Sequence, residues 1–192
     1  MVRGLELFSK RARLNTPASA TDIDEERAPS PDTHSMPPEA STMGVIERVD
    51  MINFMCHRNL SITLGPRINF IIGHNGSGKS AILTAITVTL GGKAQTTSRG
   101  SSLKDFILEG AQAAEVRVRL RNGGSDAYRP DLYGDAINIE RRIHSDGSGS
   151  WKIKNADGKT ISTKREELDA ICDHANIQVD NPMNILLSLI HI

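Results

Sequence analysis

Hydrophobic positions in this chain follow three different spacings, and the spacings come in an informative order. Val45-Ile46-Glu47-Arg48-Val49 and Ile52-Asn53-Phe54-Met55 read as extended chain. Leu60-Ser61-Ile62-Thr63-Leu64 reads as a second strand, ending at the turn signal Gly65-Pro66. Arg67-Ile68-Asn69-Phe70-Ile71-Ile72 is a short apolar run of the length expected for a strand buried on both faces. From Ser80 the spacing changes: apolar residues at 82, 83, 86 and 90 predict a helix, closed by Gly91-Gly92.

Farther on, Val116, Val118 and Leu120 alternate with Glu115, Arg117 and Arg119, which predicts a half-exposed strand. Ala136 to Ile143 and Ser150 to Lys154, separated by Asp146-Gly147-Ser148-Gly149, predict a hairpin, and Asn155 to Gly158 marks another turn. Thr163 followed by Glu166 has the form of a capping box. It predicts a helix through Leu168, Ile171 and Cys172 that ends near Asn176. Residues 1–43, by contrast, are rich in Pro, Ser, Thr, Asp and Glu without periodicity. Such a segment cannot bury enough apolar surface to offset its ordering entropy and is expected to be a disordered arm.

Composition changes this picture little. The 192 residues suit one domain, and 4% aromatic residues make the core largely aliphatic. Lys+Arg and Asp+Glu are both 23, so no global field selects nucleic acid or an acidic membrane. Arg117, Arg119, Arg121, Arg141, Arg142, Lys152 and Lys154 nevertheless suggest a basic face on the antiparallel strands. Such a face grips DNA phosphates or is simply the wet side of a sheet. Cys56 and Cys172 form neither a metal pattern nor a disulfide framework, and both are expected to be buried thiols in a reducing compartment. Lys10, Arg11 and Arg13 resemble a short nuclear-import cluster, a pattern also met as plain solvated charge. No run approaches the roughly 20 apolar residues of a membrane span, so neither secretion nor membrane insertion is expected.

Candidate chemistry concentrates between the predicted strand at 67–72 and the helix from 80. Gly73-His74-Asn75-Gly76-Ser77-Gly78-Lys79-Ser80 fits G-x-x-x-x-G-K-[ST], in the strand–loop–helix context that a phosphate-binding loop requires. Phosphate oxygens need several backbone N–H donors converging from one side, and glycines let the backbone come close enough. The helix adds its unpaired N-terminal N–H groups and the positive end of its dipole. In this reading Lys79 supplies a mobile charge to the β and γ phosphates and the Ser80 hydroxyl ligates Mg2+. No Asn/Thr-Lys-x-Asp stretch for guanine is present, so ATP is favoured over GTP. The best candidate for an acidic Mg2+ strand, Ile177-Gln178-Val179-Asp180, is only partly apolar, so the hydrolytic half is expected to be missing.

Val49 to Arg58, Gly65 to Ser80 and Val179 to Met183, read together, resemble the structural-maintenance-of-chromosomes family, most strongly its sixth eukaryotic branch. The resemblance covers roughly residues 44–186. It implies an α/β P-loop NTPase, the N-terminal half of an ABC-type ATPase head with an antiparallel β portion, whose other half lies at the far end of a long coiled coil. It further implies that the signature motif, Mg2+ strand and catalytic glutamate belong to that other half, so that this chain binds ATP and Mg2+ without turning ATP over. Implied partners are DNA, the C-terminal half-head, a heterodimeric relative from the fifth branch and non-family subunits. The implied setting is DNA repair, recombination and chromosome segregation in the nucleus.

By the same resemblance Arg99 couples ATP to DNA and Arg58 approaches the nucleotide. After Leu186 the chain departs from the family: residues 187–192 are apolar and lack the expected glutamine, for which Gln178 is no substitute, so a truncated or mis-spliced reading frame or a sequencing-vector junction is expected. A stand-alone P-loop kinase or NTPase and a non-catalytic DNA-binding module are the competing readings. Poor solubility is expected of the isolated chain, since half a sheet leaves an apolar face uncovered.

Overall fold

The computed structural model describes residues 42–97, 100–179 and 181. Most of the arm, Arg99, Asp180 and the ending 187–192 lie outside the described residues. Alternating side chains along the first extended stretch build one nine-residue strand, β1 (Ile46–Phe54), as the sequence led one to expect. It turns through Met55-Cys56 into β2 (His57–Thr63), with Phe54 opposite His57. Then come α1 (Lys79–Thr89), β3 (Ala113–Arg121), the single turn α2 (Pro130–Tyr133), β4 (Ala136–His144), β5 (Gly149–Lys154), a short β6 (Thr160–Ser162) that the sequence did not announce, and α3 (Arg165–His174).

The strands form one antiparallel sheet in the order β2-β1-β3-β4-β5-β6. Its inner face carries Val49, Met51, Val116, Val118, Leu120, Ile137, Ile139 and Ile153, all at most 1% exposed. Against them sit Ile82, Ala85 and Val88 of α1 and Leu168 and Ile171 of α3. At about 25 cal/mol per Å2 of buried apolar surface, this is the main source of stability. Leu83 departs from the predicted apolar face and is 41% exposed, while Thr84, Thr87 and Thr89 are buried in its place. Thr87 satisfies its hydroxyl on the Leu83 carbonyl (2.9 Å).

The predicted strand at 67–72 is corrected. It lies outside the six-stranded sheet, and Ile68, Phe70 and Ile72 are 80%, 67% and 61% exposed. A strand buried on two faces needs neighbours on each side, and the described residues supply only a resting place for Ile71. The predicted capping box is corrected as well. Lys164 is the N-cap of α3, without a side-chain cap, because the Ser162 hydroxyl takes the Lys164 N–H (3.1 Å) and starts a local turn before Thr163 can act. Only Cys172 is buried; Cys56 is exposed at the tip of the β1–β2 hairpin. Among the described residues no helix is long and apolar enough to cross a membrane.

The suggested basic face is also revised. Pairing register puts Arg117, Arg119, Arg121, Arg142, Lys152 and Lys154 on the outer face, but Arg141 faces inward opposite Val116 and Trp151 and is 5% exposed. The outer cations are largely paired. Glu140 accepts from Lys154 (2.7 Å) and lies 3.3 Å from Arg117, while Glu47 accepts from Arg121 (2.7 Å) and Arg119 (3.1 Å). Burial pushes the Glu140 carboxyl up, but the Lys154 hydrogen bond and the charges of Lys154, Arg117 and Lys152 outweigh it and hold Glu140 below its ordinary value. A depressed carboxylate contributes stability that is complete above its unfolded pKa, near 4.5, and is lost as pH falls through the lower folded value. Glu140→Gln is therefore expected to cost about 2 kcal/mol at pH 7, the size of hydrogen bonds to a charged group. In denaturant melts the gap from the parent chain should close as pH drops below that range; an equal gap at pH 3 and pH 7 contradicts the assignment.

Candidate nucleotide-binding site

The loop from Gly73 to Ser80 joins the exposed run at 67–72 to the first turn of α1, at one end of the sheet. On its entry side the chain is tied down by Asn69, whose amide accepts from Gly65 N (2.7 Å) and donates to Gly65 O (3.0 Å). Two glycines stand in the left-handed region, Gly76 at φ 81° and Gly78 at φ 88°. Gly78 is the residue from which α1 begins, its carbonyl taking the Ala81 N–H (2.9 Å). The helix starts without a side-chain cap and without an acidic residue in its first turn. No carboxylate of that turn therefore competes for its N-terminal amides, which is the arrangement that suits an anion.

Lys79 reaches back across the loop and donates to Gly73 O (2.7 Å) and His74 O (2.8 Å). An ammonium has three donors, so two hold the loop's curl and the third remains for a ligand. Ser77 N closes the turn onto His74 O (3.1 Å). Ser80 lies in the first helical turn, adjacent to Lys79.

The structure adds a backing that the sequence reading did not assign. A Cβ at Gly78 would lie 1.9 Å from His57 Nε2 and 2.9 Å from Cys56 Sγ, so the β1–β2 hairpin tip presses on the loop. The tip itself is fixed: Met55 N donates to Phe106 O (2.7 Å), Leu108 N donates to Asn53 O (2.9 Å), and the Phe54 and Phe106 rings stand 5.7 Å apart. His57 is 8% exposed, and among the described residues its Nε2 has no hydrogen-bond partner; nor does Ser77 Oγ, which a Cβ at Gly73 would meet at 2.5 Å. Phe54 pairs with His57 across the two-residue turn, but no local sequence signal places His57 beside the loop. Arg58, one residue farther along β2, is exposed and on the opposite side of the strand from His57.

A divalent cation finds little to hold it without a nucleotide. Among the described residues no group of three or more His, Cys, Asp or Glu converges on a metal position, and the loop offers the Ser80 hydroxyl. That fits Mg2+, which keeps several waters and takes one or two protein ligands beside substrate phosphates.

Comparison with known proteins gives the family and the fold. The AAA-domain family matches residues 48–191. Structural maintenance of chromosomes protein 6 of Schizosaccharomyces pombe is 53% identical over 144 residues, which is 75% of this chain and 13% of that protein. The Homo sapiens protein of the same name is 51% identical over 148 residues, 77% of this chain and 14% of that protein. The chain thus spans a small part of the length of these relatives. Among solved structures, one from work on ATP-driven dimerization and DNA-stimulated activation of SMC ATPases superposes with a TM-score of 0.61 at 28% identity, covering 75% of this chain and 85% of that one. The Smc head domain of Pyrococcus furiosus, solved with an extended coiled coil and bound to the C-terminal domain of ScpA, gives 0.57 at 29%, covering 72% and 35%. From the loop, the antiparallel sheet and these identities together, the chain belongs to the AAA-domain family as a head-domain segment of the structural-maintenance-of-chromosomes kind, of the protein 6 type.

Proposed function

We propose that this chain binds the phosphates of ATP, with Mg2+, as one half of a head ATPase that organises chromosomes in DNA repair, recombination and segregation. The observation that carries the reading is the loop itself: two left-handed glycines, the acid-free N-terminus of α1, and Lys79 held across the curl by two carbonyls. Gly73, His74, Asn75, Gly76, Ser77 and Gly78 supply the cradle, Lys79 the charge and Ser80 the metal hydroxyl. Arg58 is an outer nucleotide contact and Arg99 a coupler to DNA. When bound, Mg2+ neutralises charge between the phosphates.

Turnover on this reading requires the C-terminal half-head and a second head, the fifth-branch relative, with non-family subunits and DNA completing the assembly in the nucleus. The exposed stripe Ile68, Phe70 and Ile72 supports the first requirement, since an exposed apolar run of this kind calls for a covering partner. DNA contact through the outer sheet face is tempered by its ion pairs, which leave fewer cations to release counterions.

By calorimetry with Mg2+, the chain is expected to bind ATP and Lys79→Ala to bind at least a hundredfold more weakly, with phosphate release appearing only after the C-terminal half is added. Robust release by the chain alone overturns the half-head reading in favour of a stand-alone NTPase. Gly76→Ala and Gly78→Ala separate backbone strain from crowding. A Cβ at Gly76 meets nothing within 4 Å, so the cost should be the left-handed penalty of about 1–2 kcal/mol. Gly78→Ala adds the collision with His57 and should lower both ATP affinity and melting temperature further; equal losses in the two variants rule out the hairpin as the loop's backing.

A further inference from the structure

At the opposite end of α1 from the loop, about 16 Å away at 1.5 Å per residue, the sheet's inner face breaks its own rule. The inward positions of β4 are Ile137, Ile139, Arg141 and Ile143, an arginine where the alternation calls for an aliphatic residue. Its guanidinium lies 3.2 Å from the centre of the Trp151 ring. That contact offsets part of the charge but leaves the in-plane donors over. Among the described residues Arg141 Nε and Nη1 have no hydrogen-bond partner. Burial, with the nearby Arg165 charge, pulls this guanidinium down to about 10.

Arg141 lines a hollow of about 320 Å3 between the α1 C-terminus, residues 93–95, residues 101–103 and the β4–β5 turn, with Lys93, Ser102, Gly147, Trp151 and Arg165 around it. The carbonyls at the end of α1 explain some of this basic character, but not Arg141. Thr89 O accepts from Trp151 Nε1 (3.0 Å), Gly91 O from Arg165 Nη2 (3.0 Å) and Leu90 O from Cys172 Sγ (3.7 Å). Of the nearby carboxylates among the described residues, one is taken up by backbone amides and one pairs with Arg165. Asp105 takes the Ser101 and Ser102 N–H groups (2.9 Å each), and Asp169 meets Arg165 at 3.5 Å in a pair more than half exposed on both sides.

We propose that this hollow binds a small tetrahedral oxyanion of the phosphate class, with Arg141 as its floor and Arg165 and Lys93 as its rim. Buried guanidinium donors of a fixed fork are matched by an acceptor carrying several oxygens. The site is separate from the nucleotide loop and does not depend on it.

Trp151 is the only tryptophan of the chain and stacks on the arginine, so its fluorescence reports the site directly. Inorganic phosphate titrated into the full chain, against chloride at matched ionic strength, should give a saturable change in Trp151 emission that Lys79→Ala leaves intact. Arg165→Gln and Lys93→Gln should weaken it at least tenfold. Both act from the rim, so they keep the test open if Arg141→Gln does not fold. AMP in the Lys79→Ala background distinguishes sources: matching phosphate, it makes the site a receptor for phosphoryl groups of nucleotides; without response, it restricts the site to the free ion. No saturable change, an equal response to chloride, a response lost with Lys79→Ala, or one untouched by both rim variants each overturns the proposal.

Discussion

The contact between the β1–β2 hairpin tip and Gly78 is the constraint around which the loop end of this head segment is arranged. His57 fills the space that a side chain at Gly78 would need, and it does so because Phe54, Phe106 and the backbone bonds at 53, 55, 106 and 108 fix the tip. The first turn of α1 is thereby set against the sheet at a defined height, and the amides it leaves unpaired all face the same side. A loop built on glycine has little rigidity of its own. Here rigidity is supplied from outside, by the antiparallel hairpin at one edge of the sheet.

Much of this was legible in the sequence, and what was not has physical causes. The loop, the helix after it, and the strands β3, β4 and β5 follow from glycine spacing and from period-two alternation, which are local properties of the chain. The exposed run at 67–72 was misjudged because periodicity reports that a strand wants burial, and not whether neighbours are there to bury it. The orientation of Arg141 was missed because the Arg141-Arg142 pair looks like one basic patch until pairing with Val116 and Trp151 decides which of the two faces inward. His57 escaped because nothing in its immediate neighbours says that it will meet residue 78. The six-stranded order brings sites distant in sequence together, and no window along the chain contains that information.

The charges follow the same division between local and assembled information. On the outer face the rows of arginine and lysine read as an electropositive surface, yet Glu47 and Glu140 sit between them and each gathers more than one cation. Interactions of that kind are modest singly at a solvated surface and gain weight as a network around a carboxylate as buried as Glu140, 7% exposed. The inner face holds one guanidinium against an indole, where water screens it far less. The formal neutrality of the chain therefore conceals two very different electrostatic environments on the two sides of a single sheet.

The exposed stripe of Ile68, Phe70 and Ile72 runs directly into Gly73, and this continuity ties the order of the loop to the order of the stripe. If the extended segment holds its shape for only a fraction of the time, the loop's amides converge for only that fraction, and the apparent dissociation constant rises in inverse proportion. Whatever covers the stripe removes that factor without touching a phosphate, and each tenfold gain in occupancy of the ordered form is worth about 1.4 kcal/mol of binding. By reciprocity a nucleotide bound at the loop would tighten the grip on whatever covers the stripe by the same amount, so that assembly and affinity would become two readings of one equilibrium.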